Sequence, residues 1–417
     1  MKDYRPRVVD AELMARMQAI GAVAIDGAKA VGKTVTASQV AETVLRLDVD
    51  LDAKAALEAF PEQLFTHPTP ILFDEWQETP QIWNLVRRAV DYHEGTGLYL
   101  LTGSAQPRDN ARLHSGAGRI GRIRMRPMSL LESGHSSGAV SLAALLSGQD
   151  PVGKPVPLAV PDVIERLVIG GWPELIGRSE AEARLWLADY LRSLAEVDVP
   201  GLGPRRAPLN ITRLLASLAR GVGAPLVRRA LEADVGGSDK PIASETLGNY
   251  LDALERLMLL EPLPAWQPHL RSRTRLRTTP VHHFVDPSIG LAAMNTGSKQ
   301  LLIDLRTAGY HFESLVLRDL RVYAQALNPS FSSWRDSRTG AEVDVVLETP
   351  DGSWAAFEIK LGEASVDAAA SALLNCARKV DTNQHGKPMA LVVITAGRFC
   401  YRRPDGVCVV PITALGP

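Results

Sequence analysis

The run Asp26-Gly27-Ala28-Lys29-Ala30-Val31-Gly32-Lys33-Thr34 fits G-x-x-x-x-G-K-[ST] without a mismatch. It follows the apolar stretch Ala22-Val23-Ala24-Ile25 and precedes a helix-compatible stretch at 35–45. Strand, loop and helix in that order cradle a phosphate chain, because several backbone N–H groups converge on one anion. Gly27 and Gly32 remove the Cβ atoms that would block such a nest. Lys33 adds a charge for the β- and γ-phosphates, and the Thr34 hydroxyl is a Mg²⁺ ligand. Nucleotide contacts are therefore expected from Gly27, Ala28, Lys29, Ala30, Val31, Gly32, Lys33, Thr34 and Val35.

Two more strand ends supply partners. Ile71-Leu72-Phe73-Asp74-Glu75 buries three apolar residues and delivers two acids. Asp74 is expected in the Mg²⁺ shell with Thr34, and Glu75 as the general base that polarises the attacking water. Tyr99-Leu100-Leu101-Thr102-Gly103-Ser104 ends in hydroxyls, so Thr102 or Ser104 is expected to sense the γ-phosphate or hold the water. In Gly118-Arg119-Ile120-Gly121-Arg122 the arginines are expected to stabilise the transferring phosphate, in cis or across a subunit interface. The expected catalytic set is Glu75, Lys33 and Arg119, acting on MgATP.

A second constellation lies far downstream. Glu342-Val343-Asp344-Val345-Val346 and Phe357-Glu358-Ile359-Lys360 read as two strands joined around Pro350-Asp351-Gly352. Asp344 and Glu358 are equally distant from Asp351, which puts them opposite each other in a regular hairpin. Two opposed carboxylates repel unless a positive group lies between them. Lys360, two residues past Glu358, is on the same side, and Glu313 on the preceding helix completes the cluster. In order and spacing this resembles the D…ExK arrangement of the PD-(D/E)xK nuclease-like fold, with Val343 in place of the usual Pro. That resemblance implies a second Mg²⁺ held by Asp344 and Glu358, with Lys360 orienting water toward a phosphodiester.

The alternating Arg271, Arg273, Arg275 and Arg277 would face one way in an extended wing and contact a DNA phosphate backbone. Arg205-Arg206 and Arg228-Arg229 add shorter patches, while His269, His282 and His283 read as packing or surface residues.

Taken together, 27–34, Asp74-Glu75-Trp76-Gln77, 101–104 and 118–132 resemble the AAA-type (AAA_14) ATP-binding proteins of bacteria and archaea with a DUF4143 C-terminal region. Those usually read GPRQVGKT, DEVQ, LTGSS and GR…PLSFxE; the departure at Ala28-Lys29-Ala30 spares Gly27, Gly32, Lys33 and Thr34. The resemblance spans nearly the whole chain, since 170–174, 244–266 and 284–291 also fit. It implies an AAA-like core, a winged helix and a nuclease-like terminal fold.

These motifs must be positioned by several domains, since 417 residues exceed one ordinary core. Short strands at 22–26, 45–49, 70–74 and 98–102 alternate with helical patterns, which reads as a parallel α/β sheet of the P-loop NTPase kind in residues 1–135. Residues 136–205 read as a helical subdomain and connector, interrupted by Gly170-Gly171-Trp172-Pro173. Residues 206–285 give three helices and two strands, a winged-helix-like unit. Residues 286–417 give an αββαβ order, the nuclease-like α/β domain. A net charge of −1 supplies no global pull toward nucleic acid or anionic membrane, so such contacts must be local. Three cysteines without metal-type spacing and the lack of a membrane-length apolar run point to a cytoplasmic protein. Three functions follow: an ATP-driven switch acting on DNA or a protein, an ATP-dependent DNA-processing nuclease, or a homo-oligomeric AAA motor.

Overall fold

The computed structural model describes residues 4–104, 115–151, 153, 157–202, 207–238, 240–266, 279–336 and 340–417. α1 (Val9–Ala19) leads into β1 (Ala22–Asp26), whose first four residues are wholly buried, as a central parallel strand requires. α2 (Lys33–Ala37), β2 (Thr43–Arg46), α3 (Leu51–Ala59), β3 (Ile71–Asp74), α4 (Gln81–Tyr92), β4 (Tyr99–Gly103) and β5 (Ile120–Arg124) follow. The five strands are all parallel, in the order β2-β3-β4-β1-β5. β4 thus lies between β1 and β3, so the loop after β1, the acids after β3 and the hydroxyls of β4 share one edge.

The helix expected at 35–45 is shorter: α2 stops at Ala37, and β2 begins at Thr43 rather than at 45. The β-branched Thr34, Val35 and Thr36 lose rotamer freedom in a helix, and Ser38 competes for its backbone.

β6 (Val140–Ser141) and α5 (Leu142–Leu146) precede α6 (Val160–Ile169), which ends at Gly170 in a left-handed conformation, φ 80°. α7 (Glu180–Ser193) runs through a π turn into α8 (Val199–Gly201). Next come α9 (Pro208–Arg220), α10 (Arg228–Gly236), α11 (Ser244–Arg256) and an antiparallel pair, β7 (Leu260–Leu263) and β8 (Val281–Phe284). Asp286 then caps α12 (Pro287–Ala293), followed by α13 (Ser298–Ile303) and the long α14 (Leu305–Tyr323).

β9 (Ser330–Arg335), β10 (Glu342–Glu348), β11 (Trp354–Lys360), α15 (Val366–Lys379), α16 (Thr382–His385), β12 (Leu391–Thr395), β13 (Tyr401–Arg402), β14 (Cys408–Pro411) and β15 (Leu415–Gly416) complete the chain. Their sheet has the order β13-β14-β12-β11-β10-β9, with β15 pairing instead with β6. Alternation, reset by a bulge between Val343 and Val346, decides its two faces: Val345, Leu347, Phe357 and Ile359 pack with α14, while Val343, Val346, Trp354 and Ala356 pack with α15. β9, β13, β14 and β15 were not among the strands expected. Cys376 and Cys408 are buried and all three cysteines are free thiols. Among the described residues no helix is long and apolar enough to cross a membrane.

Candidate functional site

The loop after β1 closes tightly on the exit of β5. The Asp26 carbonyl accepts the Met125 N–H at 2.7 Å, and a Cβ on Gly27 would lie 2.3 Å from the Met125 carbonyl oxygen. No side chain fits there. Gly32 has φ 98°, so it is glycine for conformation rather than space. Lys33 opens α2 and turns back into the loop, donating to the Gly27 and Ala28 carbonyls at 2.9 and 2.8 Å. Burial lowers its pKa to about 8, against the pull of Glu75, Asp26 and Asp74.

Asp74, itself buried, accepts hydroxyl hydrogen bonds on one oxygen from Thr34 at 2.7 Å and Thr102 at 2.6 Å. Two strand ends and the first turn of α2 are thereby tied at one carboxylate. Glu75 has a left-handed backbone, φ 52°, uncommon for a residue with a Cβ. Its carboxylate accepts from Ser104 Oγ at 3.2 Å and from Gln77 Nε2. A cavity of about 680 Å³ opens over this group, lined by Lys29, Ala30, Gly32–Val35, Glu75 and Gln77 from the sheet edge, and by Pro173, Glu174 and Trp186 from the helical segment. Ala28 and Val31 are buried beneath the loop.

Several residues of this site escaped the sequence reading. Arg7 donates to the Val31 carbonyl of the loop at 2.9 Å, to the Arg126 carbonyl at 2.8 Å and to Glu132 at 3.0 Å. Lys29 pairs with Asp198 at 2.5 Å, and Tyr190, stacked on Trp186, donates to the Lys29 carbonyl. Nothing in the spacing of an N-terminal arginine announces such a clamp. Gln77 had a signal, its place two residues after Glu75.

The structure does not bring Arg119 to the site, which corrects the expectation of a role in cis. Its carbonyl accepts from Ala22 at the start of β1, so it lies at the opposite end of the sheet from the loop, with its side chain on Asp91 at 2.8 Å. About four residues at ~3.3 Å each separate the two ends. Arg122 instead lies over the Trp83 ring, 4.8 Å from its centroid.

At the second constellation, β10 and β11 pair as Val345 with Phe357 and Val346 with Ala356, the register that sets Asp344 opposite Glu358. A bulge against β9 between Val343 and Val346 re-aims Asp344. Lys360 Nζ stands between the acids, 3.3 Å from Asp344 and 2.8 Å from Glu358. Asp344 also accepts the Ile359 N–H at 2.7 Å. Glu313 lines the cavities on both sides, one reaching Asp344 and one reaching Lys360. Burial, reinforced by Asp344, pushes Glu358 up to about 7 and Glu313 well above the carboxylate range. Asp344 is raised by burial, and the two acids hold Lys360 above its usual value despite burial. Among the described residues no three His, Cys, Asp or Glu side chains form a metal-holding group; the ammonium of Lys360 sits between the acids.

Arg271, Arg273, Arg275, Arg277, His269 and Arg205-Arg206 lie outside the described residues. Arg228 donates to the Ser244 carbonyl at 3.1 Å. His283 is packed, against Ser314 Oγ at 2.9 Å, and burial lowers its pKa to about 3.

An AAA-domain family model matches residues 20–133, a domain of unknown function (DUF8612) matches 160–300, and another (DUF4143) matches 308–415. No curated protein matches the chain. Among solved structures, a Walker-type ATPase of Pyrococcus abyssi, PABY2304, shares 12% identity over 70% of this chain and 99% of its own, with a TM-score of 0.41. A RuvB mutant of Thermotoga maritima shares 16% identity over 62% of this chain and 88% of its own, with a TM-score of 0.28. The Drosophila ORC bound to DNA gives 13% over 69% and 85%, with a TM-score of 0.23. With an AAA domain on the loop-bearing sheet and a DUF4143 region on the second constellation, the chain is an AAA-domain protein with a DUF4143 C-terminal region.

Proposed function

We propose that the protein hydrolyses MgATP and uses the nucleotide state to switch its conformation, acting on DNA or on a protein partner. The observation that carries this reading is Asp74 gathering the Thr34 and Thr102 hydroxyls beside Lys33 and Glu75. Hydroxyl and carboxylate oxygens are the hard donors that Mg²⁺ takes, and Thr34 with Asp74 would hold it. Mg²⁺ there would neutralise charge between the β- and γ-phosphates. Lys33 trades its two loop carbonyls for phosphate oxygens, and loop N–H groups bind the rest of the chain. Glu75 takes a proton from the attacking water, oriented by Gln77 and Ser104.

The switch follows from what the loop touches: Arg7, Asp198 and Tyr190 hold it from outside the sheet. A change at the loop is thereby felt by the helical segment. The unit of α9–α11 with β7 and β8 is read as a winged helix, with the arginine run 271–277 between its strands as the DNA contact.

A second reading, a DNA-processing nuclease, is favoured by the opposed Asp344 and Glu358 with Lys360 between them. One experiment separates the two: ATPase turnover with and without DNA, the same DNA being inspected for cuts. Stimulation without cuts supports the switch, and cuts lost in Asp344→Ala support the nuclease. Glu75→Gln is expected to bind ATP and not turn it over, while Lys33→Ala is expected not to bind. Undiminished turnover in Glu75→Gln would overturn the assignment.

A further inference from the structure

On the far side of β5 from the loop, a cavity of about 220 Å³ lies between α1, β5 and the end of α14. Arg16, Arg122, Arg124, Arg126 and Arg321 line it, together with one acid, Glu12. Two of these have acids of their own: Arg16 pairs with Glu12 at 2.7 Å and Arg122 with Asp26 at 3.4 Å. The other three share one carboxylate. Arg126 Nε lies 3.0 and 3.1 Å from the two oxygens of Glu261, Arg124 Nε lies 2.9 Å from one of them, and Arg321 Nη1 donates to the other.

Three guanidinium groups share one buried glutamate, an excess of positive charge at a place where Arg126 and Arg321 are largely buried and the Arg124 side chain is 38% exposed. Asp26 and, more weakly, Glu255 add more distant negative fields at Arg124. Arg124 is also short of acceptors: its Nε and Nη2 are shielded from solvent without a hydrogen bond, the Nε approach to Glu261 being a charge contact out of hydrogen-bond alignment. Burial, with the neighbouring guanidinium groups, depresses the pKa of Arg124 and brings Arg321 down to about 10, against the pull of Glu261. Leaving donors and charge in this state costs free energy that an anion would recover.

We propose that this pocket binds a phosphoryl oxyanion. A phosphate group carries about two negative charges near neutral pH and three acceptor oxygens, which matches the residual charge and the unmet guanidinium donors. The planar forks of Arg124 and Arg321 suit its geometry better than an ammonium would. Because Arg124 and Arg126 come from β5 or its exit and Arg321 from α14, the bound group would clamp the nucleotide-binding sheet to the C-terminal helix. The phosphoryl group can come from a free phosphate, or from a nucleic-acid backbone, where each phosphodiester supplies a single negative charge and two free oxygens.

The test uses full-length Lys33→Ala protein, so that the nucleotide loop does not compete for the probe. Pyrophosphate and a ten-nucleotide single strand are titrated calorimetrically at low ionic strength, then at raised salt. Binding of at least one probe is expected, about tenfold weaker in Lys33→Ala/Arg124→Gln. Arg124→Gln leaves Glu261 with Arg126 and Arg321, so the fold is retained. Arg16→Gln, at the rim on a solvated helix, provides a second variant and is expected to weaken binding less. Pyrophosphate alone binding identifies a free phosphate as the source, and the oligonucleotide binding more tightly identifies a backbone. No binding of either probe, or binding unchanged by Arg124→Gln, overturns the proposal whatever the fate of the ATPase reading.

Discussion

At the scale of residues, Lys33 makes nucleotide binding depend on pH in a definite direction. Its pKa in the free protein, about 8, lies below that of an ordinary lysine, whereas bound phosphates favour the ammonium form. Below about pH 8 the charge is already present. As pH rises above it, binding must take up a proton, so ATP affinity falls by up to about tenfold per pH unit. Calorimetry in buffers of different ionisation enthalpy would detect that uptake, and a flat affinity from pH 7 to 9.5 would contradict it. The acidic cluster has the opposite bias. Glu313 and Glu358 have raised pKa values, so their ionisation burdens the folded state above the ordinary carboxylate range. Glu313→Gln is therefore expected to stabilise the protein by on the order of 1 kcal/mol at pH 8 and not at pH 4, as read from paired denaturant melts. The facing of Asp344 and Glu358 was legible because a hairpin register is arithmetic about its turn. The bulge at Asp344 and the placement of Arg119 were not, since both depend on which strand lies alongside.

At the scale of elements, α14 fastens three distant pieces of chain. Arg318 donates to Asp286 at 2.7 Å and to Asp319 at 2.8 Å, all three side chains being buried. Asp286 accepts the Gly171 N–H at 2.9 Å, and Asp319 accepts that of Leu130, also at 2.9 Å. The Gly-Gly-Trp-Pro interruption, read in the sequence only as a break between helices, is thus a docking point. Gly171 passes so near Met128 that a Cβ would lie 2.1 Å from its carbonyl oxygen. Periodicity shows where a helix stops but not what the stop rests on. Arg318→Met would strand two buried carboxylates and is expected to cost about 3–5 kcal/mol. Adding Asp286→Asn and Asp319→Asn should recover part of that loss. If the single variant melted like the parent in urea, the network would be incidental to stability.

At the scale of the whole molecule, the segment after the nucleotide-binding sheet is built into the C-terminal core. Leu130, Val140 and Leu142 join the cluster formed by α14 and its sheet face, and β15 pairs with β6. The Ser137 N–H donates to the Thr413 carbonyl at 2.9 Å, and Ser136 Oγ to that of Leu415 at 2.7 Å. The sequence sets a domain boundary between residues 135 and 136, but serine and glycine at 133–138 serve close backbone pairing rather than a free linker. The same segment reaches the loop, because Glu132 holds Arg7 and Arg7 holds the Val31 carbonyl. Removing residues 412–417 is expected to expose Val140 and forfeit the burial of Ile412 and Leu415, each worth about 1.5–3 kcal/mol. If the loop is held from this side, ATP affinity must fall along with stability, although no deleted residue lies near the nucleotide. Titrating ATP well below the melting temperature separates the two effects. A truncated protein that stays folded and binds ATP as tightly as the parent would show that the Arg7 clamp is set by the nucleotide-binding sheet alone.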